Sequence, residues 1–191
     1  MPTSDAELAR RALAGSQAAY SELVERYASP AVNVAIRMVN DRALAEELAQ
    51  EAFVRAFARL GTFDQERRFS SWFFQILHNV SVDYLRRRRV ETVSLDALLT
   101  AGHAGPADDP GRSPESEAER AELTAVLTEA LGQLRHDFRE AVVLKYQQDL
   151  SVDEIAAILG IPEGTVKTYL HRARKELAQR LLAAGWGPSD R

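Results

Sequence analysis

The sequence predicts an all-α protein of two small helical domains joined by a flexible acidic linker, the second domain carrying a helix-turn-helix. Three observations lead there. Apolar residues recur at helical spacing through both halves, between capping residues and glycine stops, and no stretch alternates as a strand would. Residues 90–122 hold Gly102, Gly105, Gly111, Pro106, Pro110 and Pro114 together with an excess of acid, a composition that resists a packed core. Residues 150–181 read as two helices on either side of Gly160. With 191 residues, 46% of them hydrophobic, the chain can bury two modest cores. The expected boundaries are 1–89, 90–122 and 123–185.

The elements follow in order. A short helix from Ala6 to Leu13 stops at Gly15, and Ser16 can cap a second with Tyr20, Leu23, Val24 and Tyr27 on its apolar side. Ser29-Pro30 is expected to break the pattern, leaving a third helix from Ala31 to Val39. Asn40-Asp41 forms the turn and cap for a fourth, Arg42 to Leu60. In that helix Ala45, Leu48, Ala49, Ala52, Phe53, Ala56 and Leu60 face a core, while Glu46, Glu47, Gln50 and Glu51 cluster outside. A loop from Thr62 to Phe69 leads into an aromatic-rich helix, Ser70 to about Arg87, that runs into Arg86, Arg87, Arg88 and Arg89. Trp72, Phe73 and Tyr84 at helical spacing are read first as core. Four consecutive arginines exceed what a helix C-terminus needs to offset its dipole, and suit a track of phosphates.

Within the linker, Val93, Leu95, Leu98 and Leu99 could form a small docking segment, and 33 flexible residues would average roughly 30 Å between their ends. The C-terminal domain opens on a periodic helix through Leu123, Val126, Leu127, Ala130, Leu131 and Leu134. A second helix is expected at Asp137, with Glu140 completing a capping box. Ser151 and Glu154 form another such box at the start of a short helix whose stripe is Val152, Ile155, Ala156 and Leu159. Pro162 suits the opening of the last helix, where Val166, Leu170, Ala173 and Leu177 point inward. Its opposite face presents Thr168, His171, Arg172 and Lys175, flanked by Thr165 and Lys167. A helix of this kind fits a major groove: its first turn offers N–H groups to phosphate, and Arg, Lys and Thr can address base edges. An ordinary amphipathic hairpin with a solvated charged face has the same spacing.

The net charge of −4 is unevenly placed: it is 0 over residues 1–100, −4 over 101–122 and 0 over 123–191. Neither folded half is basic overall, so affinity for duplex DNA without a partner should be weak and salt-sensitive. With no cysteine, disulfides and thiolate chemistry are excluded. No P-loop, dinucleotide fingerprint or nucleophile elbow occurs, and His78, His103, His136 and His171 sit in no zinc-binding motif. An enzyme is therefore not expected, nor a metal, a cofactor or a small-molecule substrate. Without a secretory leader or a long apolar run, a cytoplasmic protein with no direct membrane insertion is expected.

Two segments resemble known families. The stretch GTVKTYLHRARKEL resembles the recognition helix of bacterial sigma factors and of LuxR-type regulators. DRALAEELAQEAFVRAFARLGTFDQERRFSSWFFQILHNVSVDYLRRRR is similar to the most recognisable segment of the extracytoplasmic-function (ECF) sigma factors, with Gln50-Glu51-Ala52-Phe53, Trp72, Asn79, Asp83, Tyr84-Leu85 and the arginine run in order. The resemblance implies a sigma factor that binds core RNA polymerase and directs promoter recognition and transcription initiation. It further implies docking on polymerase through Glu46, Glu47, Gln50 and Glu51. The downstream promoter element would be met by Phe63, Phe69, Asn79 and Arg86 to Arg89. The upstream element would fall to Thr165, Lys167, Thr168, His171, Arg172 and Lys175. A separate anti-sigma factor is the expected regulator. The alternative, a LuxR-like helix-turn-helix regulator, would require strands in the N-terminal half.

Overall fold

The computed structural model describes residues 3–92 and 114–186, with side chains over 3–88 and 121–186. Among them are eight α-helices and no strand. The N-terminal half holds α1 (Asp5–Leu13), α2 (Gln17–Val39), α3 (Arg42–Ala58) and α4 (Phe69–Thr92), with a 3-10 turn at Leu60–Thr62. The C-terminal half holds α5 (Pro114–Gly132), α6 (His136–Tyr146), α7 (Val152–Leu159) and α8 (Glu163–Ala183).

The local signals act as expected at most helix ends. Ser16 accepts from the Ala19 amide, Asp41 from that of Leu44, and Ser151 and Glu154 make both halves of their capping box. Asn40 and Gly160 close α2 and α7 in the left-handed region, at φ 54° and 65°. Asp5 ties α1 to α2, accepting from Arg26 Nη1 at 2.7 Å and from the Tyr27 hydroxyl at 2.5 Å. Burial, and then that carboxylate, raise Tyr27 well above the usual phenol range.

Three expectations need correction. Pro30 does not break the chain, because α2 runs through it. The proline deprives the Arg26 carbonyl of its helical donor, a local cost of about 3 kcal/mol. The helix nevertheless continues: Ala19 and Leu23 before the proline, and Ala31, Val34, Ala35 and Met38 after it, are all buried in the same core. The capping box at Asp137 and Glu140 does not form either. The N-cap of α6 is Arg135, two residues before Asp137, with which it pairs, and Glu140 turns inward. Finally, α4 extends to Thr92 and α5 starts at Pro114, inside the segment read as linker; a proline at the first helical position forfeits no hydrogen bond. Residues 93–113, with Val93, Leu95, Leu98 and Leu99, lie outside the described residues.

The N-terminal core is built on aromatics. Phe73, fully buried, lies 4.6 Å from Phe53, 5.6 Å from Tyr27 and 5.6 Å from Phe74, ring centre to ring centre. The C-terminal core is mainly aliphatic, with Leu144, Leu150, Ile155 and Val166 almost wholly buried. The two cores meet. α2 packs on α6 and α4 on α7, so the halves lie directly against each other.

Candidate nucleic-acid interface

Three surfaces carry the candidate residues. On α3, Leu44, Ala45, Leu48, Ala49, Ala52, Phe53 and Ala56 are buried, which leaves Glu47, Gln50 and Glu51 exposed on the opposite side and Glu46 at its margin. Arg42 bonds Glu46 at 2.9 Å and Arg55 bonds Glu51 at 2.7 Å. These are exposed i,i+4 pairs, so they hold little energy and either carboxylate can exchange its partner. Val54 is missing from the expected set although it is 64% exposed, three and four residues beyond Glu51 and Gln50. Its position off the apolar stripe was readable in the sequence. Glu46 and Gln50 also line one side of a groove whose other side is Thr124, Leu127 and Thr128 of α5.

The second surface is the loop before α4 and the helix itself. Phe63 and Phe69, expected to meet a base, are 7% and 2% exposed. Their rings touch each other at 5.4 Å, and Trp72 lies 5.3 Å from Phe63 and 5.6 Å from Phe69. This cluster clamps the two ends of the loop together, so its exposed tip is polar: Asp64, Gln65, Glu66, Arg67 and Arg68. Asp64 stiffens the tip by accepting from the Glu66 amide at 3.0 Å. Asn79 is exposed on α4 beyond this cluster. Arg86 and Arg87 are exposed, Arg88 is half-buried, and the side chain of Arg89 lies outside the described residues.

The third surface is α8. Val166, Leu170 and Ala173 are buried, which turns Lys167, Thr168, His171, Arg172 and Lys175 to solvent, with Thr165 half-buried at their edge. The Thr168 hydroxyl donates to the Gly164 carbonyl at 2.8 Å, and Lys167 sits 3.4 Å from Glu163, again an exposed pair. No side chain caps the first turn of α8, and a methyl group added at exposed Gly164 would meet nothing within 4 Å. That turn is open to a phosphate, and the cations lie further along the same face.

The sequence reading did not bring together groups that bridge the halves. Arg68 donates to the Asp149 carbonyl at 2.8 Å, and Gln75 to that of Ala157 at 3.3 Å. Arg139 donates to the Arg37 carbonyl at 3.3 Å, and His78 Nδ1 lies 2.5 Å from Glu140 Oε1. Burial holds the Arg37 and Arg139 guanidiniums below the usual arginine range, Arg139 further because Arg37 is near.

Comparison with known proteins accounts for both halves. The family model for sigma-70 region 2 matches residues 23–91, and that for sigma-70 region 4 matches residues 124–177. The ECF RNA polymerase sigma factor SigW of Bacillus subtilis is 36% identical over 174 residues, covering 87% of this chain and 91% of its own. The ECF RNA polymerase sigma-E factor of Escherichia coli is 30% identical over 181 residues, with 93% and 94% covered. Among solved structures, the sigma factor RpoE in complex with the anti-sigma factor NepR, from Bartonella quintana, matches with a TM-score of 0.70 at 26% identity, over 90% of this chain and 98% of that one. CnrH in complex with the cytosolic domain of CnrY matches with a TM-score of 0.64 at 28% identity, over 95% and 99%.

Proposed function

The chain belongs to the ECF group of the sigma-70 family, and from that premise we propose how its surfaces divide the work of promoter-directed initiation. The observation that carries the proposal is the pairing, on one chain and in order, of a region 2 with an open acidic helix face and a region 4 with an open cationic one. α3 docks on core RNA polymerase through Glu47, Gln50 and Glu51, with Glu46 at the margin and Val54 supplying apolar contact at the centre. Because the faces of α3 and α8 sit on the outer sides of helices whose inner sides are core, their residues can change partner without unfolding the domain.

The downstream promoter element meets the loop and α4. Phe63 and Phe69 act there as the floor of a base pocket, packed against Trp72, while the polar tip and Asn79 supply hydrogen bonds to the edge of an unstacked base. Arg86 to Arg89 follow nearby phosphates. The upstream element is read by α8: the open first turn and Lys167 take phosphate, and Thr165, Thr168, His171, Arg172 and Lys175 face the groove. The protein works in the cytoplasm, where its polymerase is. Among the described residues no helix is long and apolar enough to cross a membrane. A second protein of the anti-sigma type holds it in check, by analogy with the complexes of its solved relatives.

The reading is tested by mixing the purified chain with core polymerase and fragmented genomic DNA, then sequencing the start sites of the transcripts. We expect one promoter class with two conserved elements. Transcripts no different from those of core polymerase alone would reject the reading.

A further inference from the structure

We propose that α1 braces the loop that captures a base, and that Asp5 is a positioning residue for recognition of the downstream promoter element, acting through Tyr27. The inference rests on the reading of residues 63–69 as that loop, and adds to it a helix that precedes the residues matched to sigma-70 region 2.

The two ends of α1 meet the two ends of the loop. At the last residue of the helix, Leu13 lies against Gly61, where a Cβ added to the glycine would stand 3.9 Å from Leu13 Cδ2. Gly61 belongs to the 3-10 turn from which the loop departs, and α1 packs on that turn. At the first residue of the helix, Asp5 reaches Tyr27, whose ring lies 5.2 Å from Phe69 and 5.6 Å from Phe73, centre to centre. The nine residues of α1 make a strut of roughly 12 Å between these points. Leu8, Ala9 and Ala12, all buried, fix the strut to the core along its length.

The Asp5 carboxylate is held by both of its oxygens. Oδ1 accepts from Arg26 Nη1 at 2.7 Å and Oδ2 from the Tyr27 hydroxyl at 2.5 Å. Its orientation is thereby set, and with it the far end of the tyrosine ring. From the loop side, Ser70 and the charge of Arg68 act on the same phenol and oppose the rise that burial and Asp5 impose. One hydroxyl thus joins α1 and α2 to the residues on either side of Phe69. If packing were its whole purpose, phenylalanine at position 27 would supply the same ring with no polar group to satisfy. The hydroxyl adds a directional tie, which keeps the ring from sliding along Phe69. A pocket that grips an unstacked base needs its floor held in register, and hydrogen bonds behind the contact residues do this.

Tyr27→Phe keeps the ring and removes the tie, and Asp5→Asn keeps the shape of the side chain and removes its charge. With core polymerase and the promoters found by start-site sequencing, each should lower the preference for the parent downstream element over a single-base variant at least about fivefold, equivalent to about 1 kcal/mol. The preference at the upstream element should stay that of the parent. Because Asp5 acts through Tyr27, the double variant should lose no more than Tyr27→Phe alone. Leu13→Ala, at the other end of the strut, should lower the same downstream preference by a smaller factor. An unchanged downstream preference in any single variant, an equal fall at both elements, or additive losses in the double variant would overturn the proposal. If the parent chain itself selects no promoter, the sigma-factor reading fails, and Trp72, packed on Phe63 and Phe69, judges the brace separately. In full-length chains carrying Trp186→Phe, which leaves Trp72 as the sole tryptophan, acrylamide should quench fluorescence faster with Asp5→Asn or Tyr27→Phe than without. Equal quenching would reject the brace.

Discussion

The two halves solve the same problem, presenting a polar helix face over a core, with different means. Region 2 packs large rings: Tyr27, Phe53, Phe69, Phe73 and Phe74 contact one another in a chain that reaches from α2 through α3 to α4. Region 4 has one aromatic pair, Phe138 with Tyr169 at 5.2 Å, and depends on Leu, Ile and Val and on the termini of short helices. Rings bury more area per residue, so the first half can hold a rigid loop clamped by Phe63 and Phe69. The second half has only the eight residues of α7 with which to set the angle of α8, and there caps carry a larger share of the stability.

That contrast can be broken first at Phe73. Replacing it with alanine removes a fully buried ring that touches four others, and should cost about 3–5 kcal/mol in chemical denaturation. If the halves are coupled through α2 with α6 and α4 with α7, fluorescence from Trp186 should lose cooperativity along with that from Trp72; an unchanged Trp186 transition would show region 4 standing alone.

The next effect in size tests function on the region 4 side. Arg172→Ala should cost about 1–3 kcal/mol at a single base pair of the upstream element, measured by competition among promoter variants bound to holoenzyme. Equal weakening on every sequence would reassign Arg172 to the phosphates. Ser151→Ala then isolates the cap. It accepts from the Glu154 amide, and its loss should lower stability by about 1 kcal/mol, with upstream binding declining in parallel as α7 frays. The smallest stability effect should come from Gln50→Ala with Glu51→Ala, within about 0.5 kcal/mol, because both are exposed. Affinity for core polymerase should nevertheless fall. A double variant that binds polymerase normally would move the docking surface off α3.

What could be read in the sequence was local. A capping box needs residues three apart, an apolar stripe needs spacings of three, four and seven, and a left-handed stop needs one glycine or asparagine; α3, α7 and α8 and their outer faces followed from such signals alone. The tertiary structure decided what depends on distant partners. α2 continues through Pro30 because both its halves find the same core, a compensation that no window around residue 30 contains. Phe63 and Phe69 could be placed at the two ends of the loop, but that they touch each other and share Trp72 as a neighbour was decided by the fold. Glu140 sits three residues after Asp137 and reads as half of a cap, yet it turns to His78, 62 residues away, because α6 is capped two positions earlier, at Arg135, and Glu140 falls on the buried side. The docking of one half on the other belongs to the same class. Its hydrogen-bonded pairs span from 62 residues, between His78 and Glu140, to 102, between Arg37 and Arg139, and neither local periodicity nor charge pattern encodes such pairs.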